Sequence, residues 1–152
     1  MGGSRAAAGG NAGLSNGGLS NAGRPHAGMP HAVAGAVGAY GERVAARYLT
    51  DAGMQVLDRN WRCPLGELDI VALDGSCLVV CEVKTRRSMT YGSPLEAVTV
   101  RKAARLRRLA ASWLVEHADT GVHITDVRVD VVGVLRPRTG PALIEHVVAV
   151  AP

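Results

Sequence analysis

The stretch Gly66-Glu67-Leu68-Asp69-Ile70-Val71-Ala72-Leu73-Asp74-Gly75-Ser76-Cys77-Leu78-Val79-Val80-Cys81-Glu82-Val83-Lys84 decides the fold. Two apolar runs flank Asp74-Gly75, the dipeptide best suited to a two-residue type I′ turn, and this predicts a β-hairpin. A loop at 74–75 makes Leu73 face Ser76, which sets Asp69 opposite Val80 and Glu67 opposite Glu82. Residues directly opposite in an antiparallel pair point to the same side, and alternate residues share a face. Glu67, Asp69, Glu82 and Lys84 are therefore expected to crowd one face. The second strand, Leu78 to Val83, is apolar on both faces, as suits a central strand covered on two sides.

Three carboxylates gathered this closely raise one another's pKa and cannot all ionise cheaply. A divalent cation removes the conflict, and hard oxygen ligands in small number suit Mg²⁺ or Mn²⁺. Lys84, two residues beyond Glu82 on the same side, is placed to orient or deprotonate a water. Those parts suit phosphodiester hydrolysis, in which a metal polarises a phosphoryl oxygen and lowers the pKa of bound water. The plainer alternative is a salt-bridged sheet end with Lys84 neutralising one carboxylate. That alternative serves any one of these residues alone; the four together favour a site.

The 152 residues fit one domain plus an appendage. Residues 1–37 are dominated by Gly, Ala, Asn and Ser and contain no aromatic or acidic residue. They are expected to be a disordered tail, because too little apolar surface is available to offset the entropy of ordering. A single domain is expected over 38–152. No continuous apolar core follows Arg5, so the opening does not read as a secretory signal, and no apolar run is long enough to span a membrane. Three cysteines, Cys63, Cys77 and Cys81, without a signal peptide point to reduced thiols and a cytoplasmic setting. Cys77 and Cys81 lie on the strand face opposite the carboxylates and read as small core residues. The net charge of +4 conceals a sharper distribution, since residues 83–115 carry eight Lys and Arg against Glu96 alone. A basic block beside an acidic cluster points to polyanion binding next to a metal site.

Taken in order, a helix is expected from about Val37 to Ala52, closed by Gly53, with Glu42 on the border of its buried stripe. Glu42 either reaches into a sheet-end site or is an ordinary first-turn acid that suits the helix dipole. Met54 to Arg62 is the first strand, ended by Cys63-Pro64. The hairpin follows, and Thr85 to Pro94 reads as a polar loop. Its Arg86 and Arg87 leave the strand next to the site, where paired N–H donors suit a phosphate. Val98 to His117 is the clearest helix, with Ala103, Leu106, Ala110, Trp113, Leu114 and His117 on one face and Arg101, Arg105, Arg108 and Ser112 on the other. The arginine stripe has no interleaved acid and reads as a nucleic-acid-facing ridge. Lys102 falls on the flank, close to the sheet. Ile124 to Leu135 and Ala142 to Val150 are the last strands, and Asp130 reads as a surface acid. The result is an α/β chain of order α-β-β-β-α-β-β, one mixed sheet flanked by helices.

Several of these segments carry a resemblance: Gly38-Ala39-Tyr40-Gly41-Glu42, Leu57-Asp58-Arg59-Asn60-Trp61-Arg62, Gly66-Glu67-Leu68-Asp69-Ile70-Val71, Glu82-Val83-Lys84-Thr85-Arg86, Gly92-Ser93-Pro94, Lys102 and Asp130-Val131-Val132. From residue 38 to about 135 the chain resembles the YraN family of small bacterial proteins. That family is similar in turn to archaeal Holliday-junction resolvases of the PD-(D/E)xK nuclease superfamily. The resemblance implies a restriction-endonuclease-like core. It implies Asp69 and Glu82 as metal ligands and Lys84 as the group that positions or activates the attacking water. Glu42 corresponds to the helix glutamate that resolvase-like members add to the metal site, and Glu67 to ligand support. Leu68 stands where the superfamily motif has Pro. Implied with these are Mg²⁺ or Mn²⁺ as cofactor, DNA (branched or structured forms included) as partner, and a homodimer. The leading expectation is a metal-dependent endonuclease; the alternative is a nucleic-acid-binding module with the fold and no turnover.

Overall fold

The structure, a computed structural model, describes residues 29–88 and 98–150. Its elements are α1 (Met29–Asp51), β1 (Gln55–Cys63), β2 (Gly66–Asp74), β3 (Cys77–Arg86), α2 (Val100–Glu116), β4 (Asp126–Leu135) and β5 (Leu143–Val147), with a 3₁₀ turn at Ala118–Thr120. The five strands form one sheet in the order β1-β2-β3-β4-β5. The β3–β4 pair is parallel and the other three are antiparallel. A parallel pair needs a crossover, and α2 lies within it.

The hairpin forms, with its turn displaced. Leu73 pairs with Leu78 and Asp74 with Cys77, so the two-residue loop is Gly75-Ser76 rather than Asp74-Gly75. Gly75 takes φ +60°, and Gly at the first central position is the choice of a type II′ turn. Ser76 has a competing use: its carbonyl accepts from Thr125 N–H at 2.9 Å and its hydroxyl meets the Thr125 hydroxyl at 2.8 Å, which anchors the approach to β4. The correction moves the register by two residues, so every side chain keeps its face. It also brings Asp69 level with Glu82 rather than Val80, one step beyond the Ile70–Cys81 pair where the ladder stops.

Alternation along β3 divides the core. Leu78 and Val80 pack with Leu106, Leu109, Ala110 and Trp113 of α2. Val79 and Cys81 pack with Ala45, Ala46 and Leu49 of α1. The strand is buried on both faces, as its apolar sequence requires. In β2 the alternation is interrupted: Leu68 and Val71 both belong to the α2 side, whereas Ile70 and Ala72 belong to the α1 side. The break falls at Asp69.

Helix α1 begins at Met29, eight residues before the expected Val37. Pro30 in its first turn is compatible with helix, because its missing N–H would have no intrahelical partner there. The disordered tail is expected over residues 1–37; of these, 29–37 belong to α1 and 1–28 lie outside the described residues. At the other end Gly53 (φ +94°) closes α1 as a Schellman cap. Met54 N–H donates to Leu49 C=O and Gly53 N–H to Thr50 C=O, both at 3.0 Å. Helix α2 starts at a Thr99 cap whose hydroxyl accepts from Lys102 N–H at 3.2 Å. Strand β3 continues through Thr85 and Arg86, which the sequence reading assigned to a loop; parallel pairing with Val134 and Leu135 extends it.

Candidate functional site

The site forms where regular pairing of β2 with β3 ends. Beyond Ile70–Cys81, the Val83 N–H donates to Asp69 Oδ2 at 2.8 Å, so a carboxylate stands where a strand carbonyl would otherwise accept. This fixes the Asp69 side chain at the sheet end. Burial raises its pKa to about 6, the Val83 hydrogen bond works against that rise, and the charges of Glu82 and then Glu42 add to it. Glu82 is buried on the α2 face. Its Oε1 takes both Lys84 Nζ at 2.6 Å and Lys102 Nζ at 2.5 Å. Burial pulls the Lys84 pKa down, but hydrogen bonding and charge from Glu82 outweigh it, and the net shift is upward.

Two elements bring these groups together from either side. Lys84 lies two residues along β3 from Glu82, on the same face. Lys102 descends from the first turn of α2, so the helix is tied to the sheet through the carboxylate. Glu42 comes from α1, which approaches β3 closely because residue 41 is glycine. A Cβ at Gly41 would stand 2.8 Å from Thr85 Cβ and still nearer to its hydroxyl. Of the residues picked out by sequence, Asp69, Glu82, Lys84 and Lys102 are assembled here, and Glu42 lies within electrostatic reach of Asp69.

Glu67 is not assembled with them. Strict alternation would set it beside Asp69, but the interruption at Asp69 frees it to pair with Arg62, its direct partner in β1, at 3.1 Å. Arg87 is exposed and Arg86 half-buried at the end of β3. Arg101, Arg105 and Arg108 are exposed on α2, and Arg105 Nη2 donates to Leu65 C=O at 3.3 Å across the β1–β2 turn. Residues 89–94 of the expected polar loop lie outside the described residues. Among the described residues, no three His, Cys, Asp or Glu side chains converge on a common metal position.

Asp130 departs most from its reading as a surface acid: it is fully buried. Arg128 donates to both of its oxygens, Nε to Oδ1 at 3.0 Å and Nη2 to Oδ2 at 3.1 Å. His146 Nε2 meets Oδ2 at 2.9 Å, and Ala149 N–H donates to Oδ1 at 2.9 Å. Arg128 also reaches Asp74 at 3.1 Å. This network ties β5 to β4 and to the hairpin turn. The period-2 pattern shows only that Arg128 and Asp130 share a face, not that β5 covers it. A second unforeseen set joins α2 to β1: Trp113 Nε1 donates to Asp58 Oδ2 at 3.1 Å, and His117 stacks on Trp113 at 4.1 Å between centroids.

Cys77 and Cys81 line the α1 side, as expected of core residues, and burial raises both thiol pKa values. No described helix is long and apolar enough to cross a membrane.

Comparison with known proteins matches the same region. The chain is 63% identical over 116 residues to a UPF0102 protein of Kineococcus radiotolerans, an alignment that covers 76% of this chain and 93% of the relative. It is 56% identical over 116 residues to a UPF0102 protein of Nocardioides sp., covering 76% and 91%. With a UPF0102 protein of Streptomyces coelicolor the identity is 57% over 118 residues, covering 77% and 89%. Residues 41–134, from Gly41 within α1 to Val134 near the end of β4, match the model described as uncharacterised protein family UPF0102, and the chain belongs to that family.

Proposed function

We propose that this protein is a metal-dependent endonuclease that hydrolyses DNA phosphodiesters, with Asp69, Glu82 and Lys84 as its catalytic residues. One observation carries the reading. Asp69 and Glu82 are drawn together where the sheet ladder breaks, and two ammonium groups close on one of them. A sheet end needs no such cluster for stability, since burying carboxylates costs more than apolar packing would. The donor set fits a hard divalent cation, Mg²⁺ or Mn²⁺: carboxylate oxygens without thiolate or imidazole, and few enough to leave room for water. Asp69 and Glu82 would hold it, with Glu42 as a further oxygen donor from α1. When bound it would supply Lewis-acid polarisation of a phosphoryl oxygen and a more acidic water.

The remaining steps belong to the chain's own side chains. Lys84 Nζ, now on Glu82, would turn to orient the attacking water and, as an ammonium, offset the negative charge that develops on the phosphate. Lys102 would stay on Glu82 and hold that carboxylate in place. The exposed arginines of α2, together with Arg86 and Arg87, would hold the phosphate backbone by charge and paired N–H donors. A restriction-endonuclease-like arrangement of the mixed sheet accords with this reading.

A second reading has its own observation. Glu82 is already charge-balanced by two lysines without any cation, which suits a nucleic-acid-binding module with the fold and no turnover. Incubating the protein with four-way-junction and linear DNA, in Mn²⁺ or in EDTA, separates the two. The nuclease reading expects Mn²⁺-dependent cutting that disappears in Asp69→Ala. Binding that weakens with salt, with no cutting on any substrate, leaves the binding module.

A further inference from the structure

The turn between β1 and β2 is stiff, exposed and apolar, and it sits beside the site. Cys63 pairs with Gly66, which leaves Pro64-Leu65 as the tip. Leu65 is 65% exposed. A side chain on a loose loop would need no explanation, but this tip is held in place. Arg105 Nη2 donates to the Leu65 carbonyl, and Gly66, at φ +145°, lies so close to that guanidinium that a Cβ there would come within 2.5 Å of Nη2. Pro64 fixes a further φ angle.

Beneath the tip runs an open groove of about 400 Å³ lined by Arg62, Cys63, Gly66, Glu67 and Arg105. Glu67 is matched by Arg62, so Arg105 leaves the groove with a net positive charge. Arg101 and Arg108 extend that charge about one helical turn to either side. Position ties the feature to the site. Lys102 and Arg105 stand three apart on α2; the first reaches Glu82 and the second holds Leu65. Along β2 the tip stands four residues before Asp69, roughly 13 Å at the rise of an extended strand.

An apolar point flanked by arginines is the device by which proteins prise base steps apart while holding the neighbouring phosphates. We propose that Pro64-Leu65 is a wedge that inserts at a weakened base step of duplex DNA, such as the branch point of a junction, while Arg105 and its neighbours on α2 hold the adjoining phosphates. The substrate class it selects is duplex DNA with interrupted stacking, and this specificity rests on the nucleic-acid reading above. An intact duplex resists the wedge by its stacking energy; a branch, nick or mismatch has already lost part of it.

The test runs in EDTA, so that no turnover is needed. A four-way junction and a linear duplex of matched sequence each carry 2-aminopurine, whose fluorescence rises on unstacking, beside the branch or at the matching linear position. The wild type is expected to brighten the junction probe and to prefer the junction. Leu65→Ala is expected to lose the brightening and roughly tenfold of the preference, the low end of what burying a leucine is worth. Leu65→Phe is expected to restore both. Brightening that depends on Leu65 in a protein that never cuts would sink the nuclease reading and support the wedge. A protein that cuts in Mn²⁺, but whose brightening and preference are the same in Leu65→Ala, overturns the wedge alone. Absence of DNA binding overturns the wedge together with the nucleic-acid reading, and a Leu65-dependent shift to a dimer without brightening overturns the wedge.

Discussion

Asp69 carries a conflict that its own titration exposes. Burial holds its pKa near 6, against 3.8 for an unperturbed aspartate. An acid whose folded pKa is raised stabilises the fold fully below the unfolded value, and that contribution is lost as pH rises through the folded one. Between about pH 4 and 6 the protein without metal is therefore expected to lose stability, on the order of 3 kcal/mol at most. Asp69→Asn keeps an acceptor for Val83 N–H and cannot ionise. It is expected to flatten the profile and to be the more stable form at pH 7.5; parallel urea midpoints for the two proteins at pH 4.5 and 7.5 would contradict this. Asp130 is the opposite case, a buried carboxylate with a full set of donors. Asp130→Ala strands Arg128 and His146 together, and the expected cost is about 3–5 kcal/mol by urea denaturation. Sequence distinguished these two aspartates in reverse: Asp69 was legible because Glu82 and Lys84 follow on a strand of known pleat. Asp130 was not, because its partners are His146 on β5 and Ala149 just beyond it, and no local pattern specifies how that segment pairs.

At the level of elements, the site depends on how closely α1 and α2 approach β3. Gly41 is where α1 comes nearest, and its contact is Thr85, the neighbour of Lys84. Gly41→Ala is expected to destabilise by about 1–3 kcal/mol through overpacking. Thr85→Ala in the same chain removes the hydroxyl and relieves part of that cost, leaving the Cβ contact at 2.8 Å. A double-mutant cycle with no coupling between positions 41 and 85 would refute the packing account. The helix pattern alone gave no sign of this, since a glycine in a stripe reads as a small buried residue whatever it faces. The hairpin illustrates a related limit. Asp74-Gly75 marked the right turn, but Ser76 was taken up by Thr125, a contact 49 residues away, and the loop moved by one residue. The faces survived because the register changed by two. With a change of one, Glu82 and Asp69 would have parted.

Over the whole molecule, two helical layers close on a five-stranded sheet, and the one described place where carboxylates from β2 and β3 meet lysines from β3 and α2 is also where the ladder ends. An ion that binds there must bind the folded chain alone, because the unfolded chain does not bring Asp69 and Glu82 together. Binding to the native state raises apparent stability by an amount set by concentration over Kd, about 2.7 kcal/mol at a hundredfold excess. Mn²⁺ is thus expected to raise Tm by several degrees at pH 7.5, a shift of the size that such an energy produces in a domain of this length. Two controls locate the effect. Asp69→Asn, which removes a ligand while keeping the fold, is expected to abolish the shift. Lowering the pH to 5 is expected to diminish it in the wild type, because Asp69 then holds its proton and cannot coordinate. A Tm that rises equally in wild type and Asp69→Asn would place the ion elsewhere on the protein, and the ammonium groups of Lys84 and Lys102 would then be the permanent counter-charges of Glu82.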